Sequence, residues 1–303
     1  MTHTLHDKRS CAYLTMDDSA GWQIDADLGF VPLAALGWQI IAVPWRSSRT
    51  DWDQFDAVYI GTPWDYPEDS DKFLSLLKSI DRSKAVLVND LELVLWSMSK
   101  TYLRDLESQG AAIVPSLWFE GMTPGCLYDI FNNFGVDQII VKPVVSTNAT
   151  DTFLLDCESF AEIEQTLCKV FAERPCLAQP FIENIRDEGE YSLFYFNRRF
   201  SHAIQKIPGE GDFRVQEEYG ADIIPVLPEP ALLKTSDGVM QLVNPEPVYA
   251  RVDFVRGPDN QFLLMELELV EPSMYLRMDS KAPARFAEAF DRYVTQKSGS
   301  NIS

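Results

Sequence analysis

The stretch Leu263–Ser273, "LLMELELVEPS", sets two carboxylates, Glu266 and Glu268, inside an otherwise apolar run. Strand alternation puts both on one face. On alternation alone that face meets water, because sheets with one polar side are common. A neighbouring run changes the balance. The stretch Tyr249–Val255, "YARVDFV", carries Arg251 and Asp253 at the same two-residue spacing, and "RGPDNQ" connects the two runs. So short a connection predicts an antiparallel hairpin. Three carboxylates and a guanidinium then meet at one place. Carboxylates crowded in an interior repel one another and lose hydration, so they call for cations or protons. Oxygen donors of this kind suit Mg²⁺ bound together with substrate phosphates.

Working outward, the first hundred residues alternate apolar strand runs with helical patterns ("CAYLTM", "FVPLAALGW", "QIIAVPW", "FDAVYIGTPWDY", "FLSLLKSI", "AVLVND"). That order predicts a parallel, three-layer α/β unit over 1–98. A single helix is expected through "LELVLWSMSKTYLRDLESQG", ending at Gly110, with "AAIVPSLWF" as the next strand. A small α+β unit over 99–183 follows, with strands "QIIVKPVV", "FLLD" and "PCLAQPFI" and helices around "CLYDIFNNFG" and "SFAEIEQTLCKVFAE". The last unit, 184–297, is rich in strand pattern and closes on the helix "PARFAEAFDRYV". Residues 298–303 read as a disordered tail.

The 303 residues are 46% hydrophobic, enough for a substantial core, and carry 46 acidic against 26 basic side chains, a formal charge of −20. That charge argues against general nucleic-acid or anionic-membrane binding. A bound polyanion therefore depends on a few placed cations or on divalent metal. No apolar run approaches the length of a membrane helix, and "MTHTLHDKRS" lacks the order of a signal peptide, so a cytoplasmic protein is expected. The five cysteines have no CxxC spacing, and reduced, mostly buried thiols are expected.

Two lysines stand out. Lys142 ends "QIIVK" and precedes the small-residue loop "VVSTNATDT", whose amides and hydroxyls suit phosphate oxygens; Lys100 lies upstream in the helical stretch. Either lysine taken alone is more simply a solvated charge. Neither GxxxxGK[ST] nor GxGxxG occurs. The stretch "SHAIQKIPGEGDFRVQEEYG" sets Lys206 and Arg214 around Gly209 and Gly211, as a mobile loop with cations does, although a surface connection between strands reads the same way. His202 alternates with apolar residues and is expected to be structural.

Taken in order, these segments resemble the ATP-grasp superfamily of carboxylate–amine ligases, of the glutathione synthetase and D-alanine–D-alanine ligase type. "SMSKTYLRDLESQGAAIVPS" is similar to the family's first lysine segment and "IIVKPVVSTNATDT" to its second lysine and phosphate-covering loop. "LAQPFIENIRDEGEYSLFYF" is similar to the adenine-holding hinge with an acidic ribose contact, and "YARVDFV" with "LLMELELVEPS" to the arginine and metal set. "WDY", "SHAI-K", "RVDFVRG" and "E-E-EPS" resemble the bacterial branch containing the cyclo-ligase of D-cycloserine biosynthesis and related glutathione-synthetase-like proteins. Two departures stand out: "STNATDT" lacks the loop's usual glycines, and Glu268 stands where asparagine is common.

The resemblance implies an ATP-grasp fold, α/β with α+β subdomains, behind an N-terminal parallel-sheet domain. It implies that Lys100 and Lys142 contact ATP phosphates, that Gln179 meets the adenine amino group, and that the backbone at Phe181 and Ile182 lines the base pocket. Glu190 corresponds to the ribose-binding acid, Lys206 and Arg214 to phosphate or acyl-phosphate contacts, and Arg251 to the group stabilising the transferring phosphoryl. Asp253, Glu266 and Glu268 correspond to the ligands of two Mg²⁺. The activity implied is an ATP- and Mg²⁺-dependent ligase making an amide through an acyl phosphate on a small amino-acid-like substrate, with a homo-oligomer allowed. The alternatives are an ATP-binding protein of this fold without ligation and a small-metabolite kinase.

Overall fold

The computed structural model describes residues 8–300. Strands β1 (Arg9–Thr15), β2 (Trp38–Pro44), β3 (Ala57–Thr62) and β4 (Val86–Val88) form a parallel sheet in the order β2, β1, β3, β4. Every residue of β3 is buried, as expected of a parallel strand covered on both faces. Helix α1 (Phe30–Ala35) leads into β2, and α2 (Ser70–Asp81) leads into β4. Asp69 caps α2 through the amide of Lys72, and Phe73, Leu77 and Ile80 recur at helical spacing on its buried side.

The helix expected as one piece is two, α3 (Leu91–Ser97) and α4 (Tyr102–Ser108). Between them the Lys100 amide donates to the Val144 carbonyl at 2.8 Å, a bond that an unbroken helix would direct four residues back. That tertiary bond turns Lys100 out of the helix. The following strand is also split. Leu117–Phe119 forms β5, while Ile113 bridges separately to Leu264, with Val114 N to Leu264 O at 3.1 Å and Leu264 N to Ala112 O at 2.8 Å.

β6 (Gln138–Pro143), β7 (Phe153–Asp156) and β8 (Cys176–Pro180) join β5 in an antiparallel sheet in the order β5, β8, β6, β7. Helices α5 (Cys126–Phe134) and α6 (Ala161–Val170) share a core with it through Ile130, Leu167, Ile139 and Val141. After the short α7 (Asn184–Asp187), a five-stranded antiparallel sheet holds β9 (Glu190–Phe196), β10 (Arg199–Ile207), β11 (Asp222–Val226), β12 (Tyr249–Arg256) and β13 (Phe262–Glu268), in the order β11, β10, β9, β12, β13. β11 and α8 (Pro230–Leu242) have no counterpart in the sequence reading. Pro225, Pro228 and Gly238 interrupt the periodicity there.

Helix α9 (Ala282–Ser300) returns to the first sheet, where Phe286, Phe290 and Val294 share a core with Cys11, Trp38 and Tyr59. The helix runs to Ser300, so the disordered tail expected from 298 is helical at its start; 301–303 lie outside the described residues, as do the first seven. Among the described residues no helix is long and apolar enough to cross a membrane. All five cysteines are free, but only Cys11 and Cys176 are buried; Cys126, Cys157 and Cys168 are half-exposed.

Candidate functional site

The hairpin expected from "RGPDNQ" forms, pairing Arg251 with Glu268 and Asp253 with Glu266. The register shifts after Asp253, so that Phe254 opposes Leu264 and Met265 is the extra residue. Through this bulge Met265 joins the same small cluster as Leu263 and Val255, while Leu264 and Leu267 stay in the main core with Val252 and Phe254. The carboxylates of Asp253, Glu266 and Glu268 each offer an oxygen within 4.8 Å of the others. They line an open cavity of about 220 Å³.

Arg251 and Lys100, beside this group, are already engaged. Arg251 Nε donates to both oxygens of Asp253 at 3.1 Å, and its other arm pairs with Glu268. Lys100 Nζ lies 3.0 Å from Glu266 and donates to the Ser146 carbonyl at 3.1 Å, tying the loop after β6 to β13. Burial opposes charge on Glu266, but Lys100 and Lys142 outweigh it and hold its carboxyl below the usual range. Burial pushes the Glu268 carboxyl up, and Arg251 offsets only part of that rise. The set of hard oxygen donors fits Mg²⁺, whose charge would relieve the mutual repulsion that the side-chain cations now offset.

Lys206 lies in β10, not in the loop that follows it, and is buried. Its ammonium is 2.7 Å from Glu190 and 3.9 Å from Asp253. Burial and Arg251 oppose that charge, and Asp253 and Glu190 restore it. Glu190 follows Gly189, where an added Cβ would come within 2.3 Å of the Lys206 carbonyl, so only glycine lets β9 start this close to β10. Arg214 is held in its own loop by Asp212, at 2.7 Å, and lies over the Tyr219 ring.

At the other end the cavity is apolar. Phe181 and Ile182 pack with Val114, Ile185 and Phe213, and Gln179 on β8 donates to Ser116 Oγ at 2.9 Å. Lys142 enters from β6, and burial lowers its pKa. The glycine-free loop after it turns through left-handed conformations at Asn148, Ala149 and Asp151, which supply the geometry that glycine usually provides. All twelve residues singled out in the sequence (Lys100, Lys142, Gln179, Phe181, Ile182, Glu190, Lys206, Arg214, Arg251, Asp253, Glu266 and Glu268) line this one cavity.

Other liners escaped the sequence reading. Trp22, Glu271 and Tyr275 belong to loops that no periodicity places, and "EPS" gave the only signal for Glu271. Trp64, in "WDY", reaches the cavity from the loop after β3, donating from Nε1 to the Glu271 carbonyl at 2.9 Å. His202 is structural: its Nε2 meets the Met274 carbonyl at 3.1 Å and its ring stacks on Phe194.

Residues 11–89 match the family described as the N-terminal domain of D-cycloserine synthetase DcsG. The chain is 28% identical over 262 residues to the cycloserine biosynthesis protein DcsG of Streptomyces lavendulae, covering 81% of this chain and 85% of that protein. The crystal structure of D-cycloserine synthetase DcsG superposes with a TM-score of 0.84 at 23% identity, over 94% of this chain and 99% of that one. D-alanyl-alanine synthetase A from Vibrio cholerae gives 0.71 at 18% identity, over 96% and 99%. The ATP-grasp ligase PsnB, complexed with minimal precursor, Mg and ADP, gives 0.63 at 13%, over 94% and 98%. The chain thus has the fold of the ATP-grasp ligases, and over residues 11–89 it is similar to the N-terminal domain family of D-cycloserine synthetase.

Proposed function

We propose that the chain is an ATP- and Mg²⁺-dependent ligase that activates a small amino-acid-like carboxylate as an acyl phosphate and releases an amide after attack by an amine. One observation carries this reading: Asp253, Glu266 and Glu268 gather their oxygens in the same cavity that Lys100 and Lys142 enter.

Adenine would lie at the apolar end against Phe181 and Ile182, with Gln179 at its edge and Glu190 toward the ribose. Among the described residues Lys142 forms no ion pair, which leaves it to meet a phosphate. Lys100 would exchange its bond to the Ser146 carbonyl for a second phosphate contact. Asp253, Glu266 and Glu268 would hold Mg²⁺, which when bound neutralises phosphate charge. Arg251, beside Glu268 and Asp253, would meet the phosphoryl group in transfer, with Lys206 and Arg214 completing the positive side. Groups fixed in advance around developing charge supply most of the rate enhancement in phosphoryl transfer. Thr147 ties the loop over the cavity to the Trp64 carbonyl at 3.0 Å, and so would keep water from an acyl phosphate.

The experiment is ADP release with Mg²⁺ across a panel of amino acids, followed by mass analysis of the products. An amide plus free phosphate is expected. A phosphorylated metabolite would identify a kinase, and nucleotide binding without turnover a non-ligating protein. Absence of both ATP binding and Lys142-dependent turnover would overturn the reading.

A further inference from the structure

Among the described residues, the buried and half-buried charged side chains lining the cavity form ion pairs, with two exceptions, Lys142 and Glu271. Lys142 has a role in the reading above. Glu271 does not. It is 9% exposed, and among the described residues its carboxyl group forms neither a hydrogen bond nor an ion pair, the one bond to Glu271 from another side chain being to its carbonyl. It stands outside the group of carboxylates whose oxygens gather within 4.8 Å. A cavity-lining acid without a cation partner leaves a place for a positive group of a ligand.

The surroundings define that ligand. Glu271 is tied through its carbonyl to the Trp64 indole, whose ring lies 5.2 Å from that of Trp22, and both rings line the cavity. Aromatic faces attract cations and do nothing for anions. Arg46, the basic side chain beside the "WDY" loop, is occupied by Asp65 at 3.0 Å and by Glu68 at 3.0 Å. Arg277 is occupied by Asp25 at 3.2 Å and Glu217 at 2.6 Å. An anion entering this recess would meet an unpaired acid with no free guanidinium to offset it. A primary ammonium meets an acid and indole rings.

We propose that Glu271 anchors a primary ammonium group of the substrate, with Trp64 beside it, so that the ligase selects amines and amino acids over hydroxy acids of the same shape. The assignment rests on the ligase reading for the identity of the cavity as a substrate site, and its test is separable from that reading.

Calorimetry of the full chain, with and without saturating Mg·ADP, uses three probes in both enantiomers: alanine, alaninamide and lactate. Alaninamide keeps the ammonium and lacks the carboxylate; lactate keeps the carboxylate and replaces the ammonium with hydroxyl. Alanine and alaninamide are expected to bind at least tenfold more tightly than lactate. Glu271→Gln should remove that preference while leaving Mg·ADP affinity unchanged, and with any amine the chain turns over it should raise KM for the amine without raising KM for ATP. Lactate binding as well as alanine, ammonium probes failing to bind the native chain, or Glu271→Gln retaining the preference would each overturn the assignment. If Glu271→Gln does not fold, alaninamide against lactate on the native chain and on Trp64→Phe decides the matter. Loss of Mg·ADP binding by the native chain counts against the ligase reading alone, because the probes are also titrated without nucleotide.

Discussion

Asp253 and Glu266 stand directly opposite each other across β12 and β13, immediately before the bulge that admits Met265. Asp253 is 2% exposed, and both cations that reach it, Arg251 and Lys206, are shared with other carboxylates. A divalent ion here stabilises the folded chain by mass action, about 2.7 kcal/mol at a hundredfold excess over Kd. Mg²⁺ with ADP should therefore raise Tm of the native chain by several degrees and leave that of Asp253→Asn nearly unmoved. Equal shifts in both would remove Asp253 from the metal site.

Ala149 adopts φ of 54° in the loop that covers the cavity. The left-handed region costs a residue with a Cβ about 1–2 kcal/mol, and glycine avoids it at the expense of a more flexible unfolded chain. Ala149→Gly is expected to gain up to about 1 kcal/mol in urea unfolding. A loss of that size would contradict the left-handed turn.

Phe290 is fully buried, its ring 5.0 Å from that of Trp38 in an edge-on contact. That contact anchors the C-terminal helix to the first sheet. Phe290→Ala should cost about 3–5 kcal/mol. A cost below about 1 kcal/mol would mean that α9 does not belong to this core.

His202 is buried against Phe194, and burial lowers its pKa from 6.5 to about 4 despite the Met274 carbonyl. Between those values the unfolded chain binds a proton that the folded chain refuses. Its contribution is therefore complete above pH 6.5 and falls away as the pH drops toward 4, by about 3 kcal/mol in all. His202→Gln should flatten that part of the stability profile when urea unfolding is compared at neutral and mildly acidic pH. Parallel profiles would place a protonated imidazole in the fold.

The short connection between Arg251 and Glu268 made their pairing legible, because hairpin loops and strand alternation are local rules. Two other features were not local. Lys100 leaves its helix through a bond to Val144, 44 residues away, and nothing in "WSMSKT" marks the break. Glu271 lies beyond the end of β13, where alternation stops, and only tertiary packing places it on the cavity wall. The proline-punctuated stretch around Pro225 and Pro230 hid β11 and α8 for the opposite reason, since local signals there suggested interruption and long-range packing overrode them.

The central claim is that one cavity binds nucleotide, metal and lysine together. Calorimetric titration of Mg·ADP into the native chain and into Lys142→Ala tests it most directly. A charge-assisted contact to phosphate contributes about 1.5–3 kcal/mol, so the variant should bind roughly ten- to a hundredfold more weakly, and EDTA should abolish the native signal. Equal affinity in both proteins, or binding indifferent to Mg²⁺, would contradict the account.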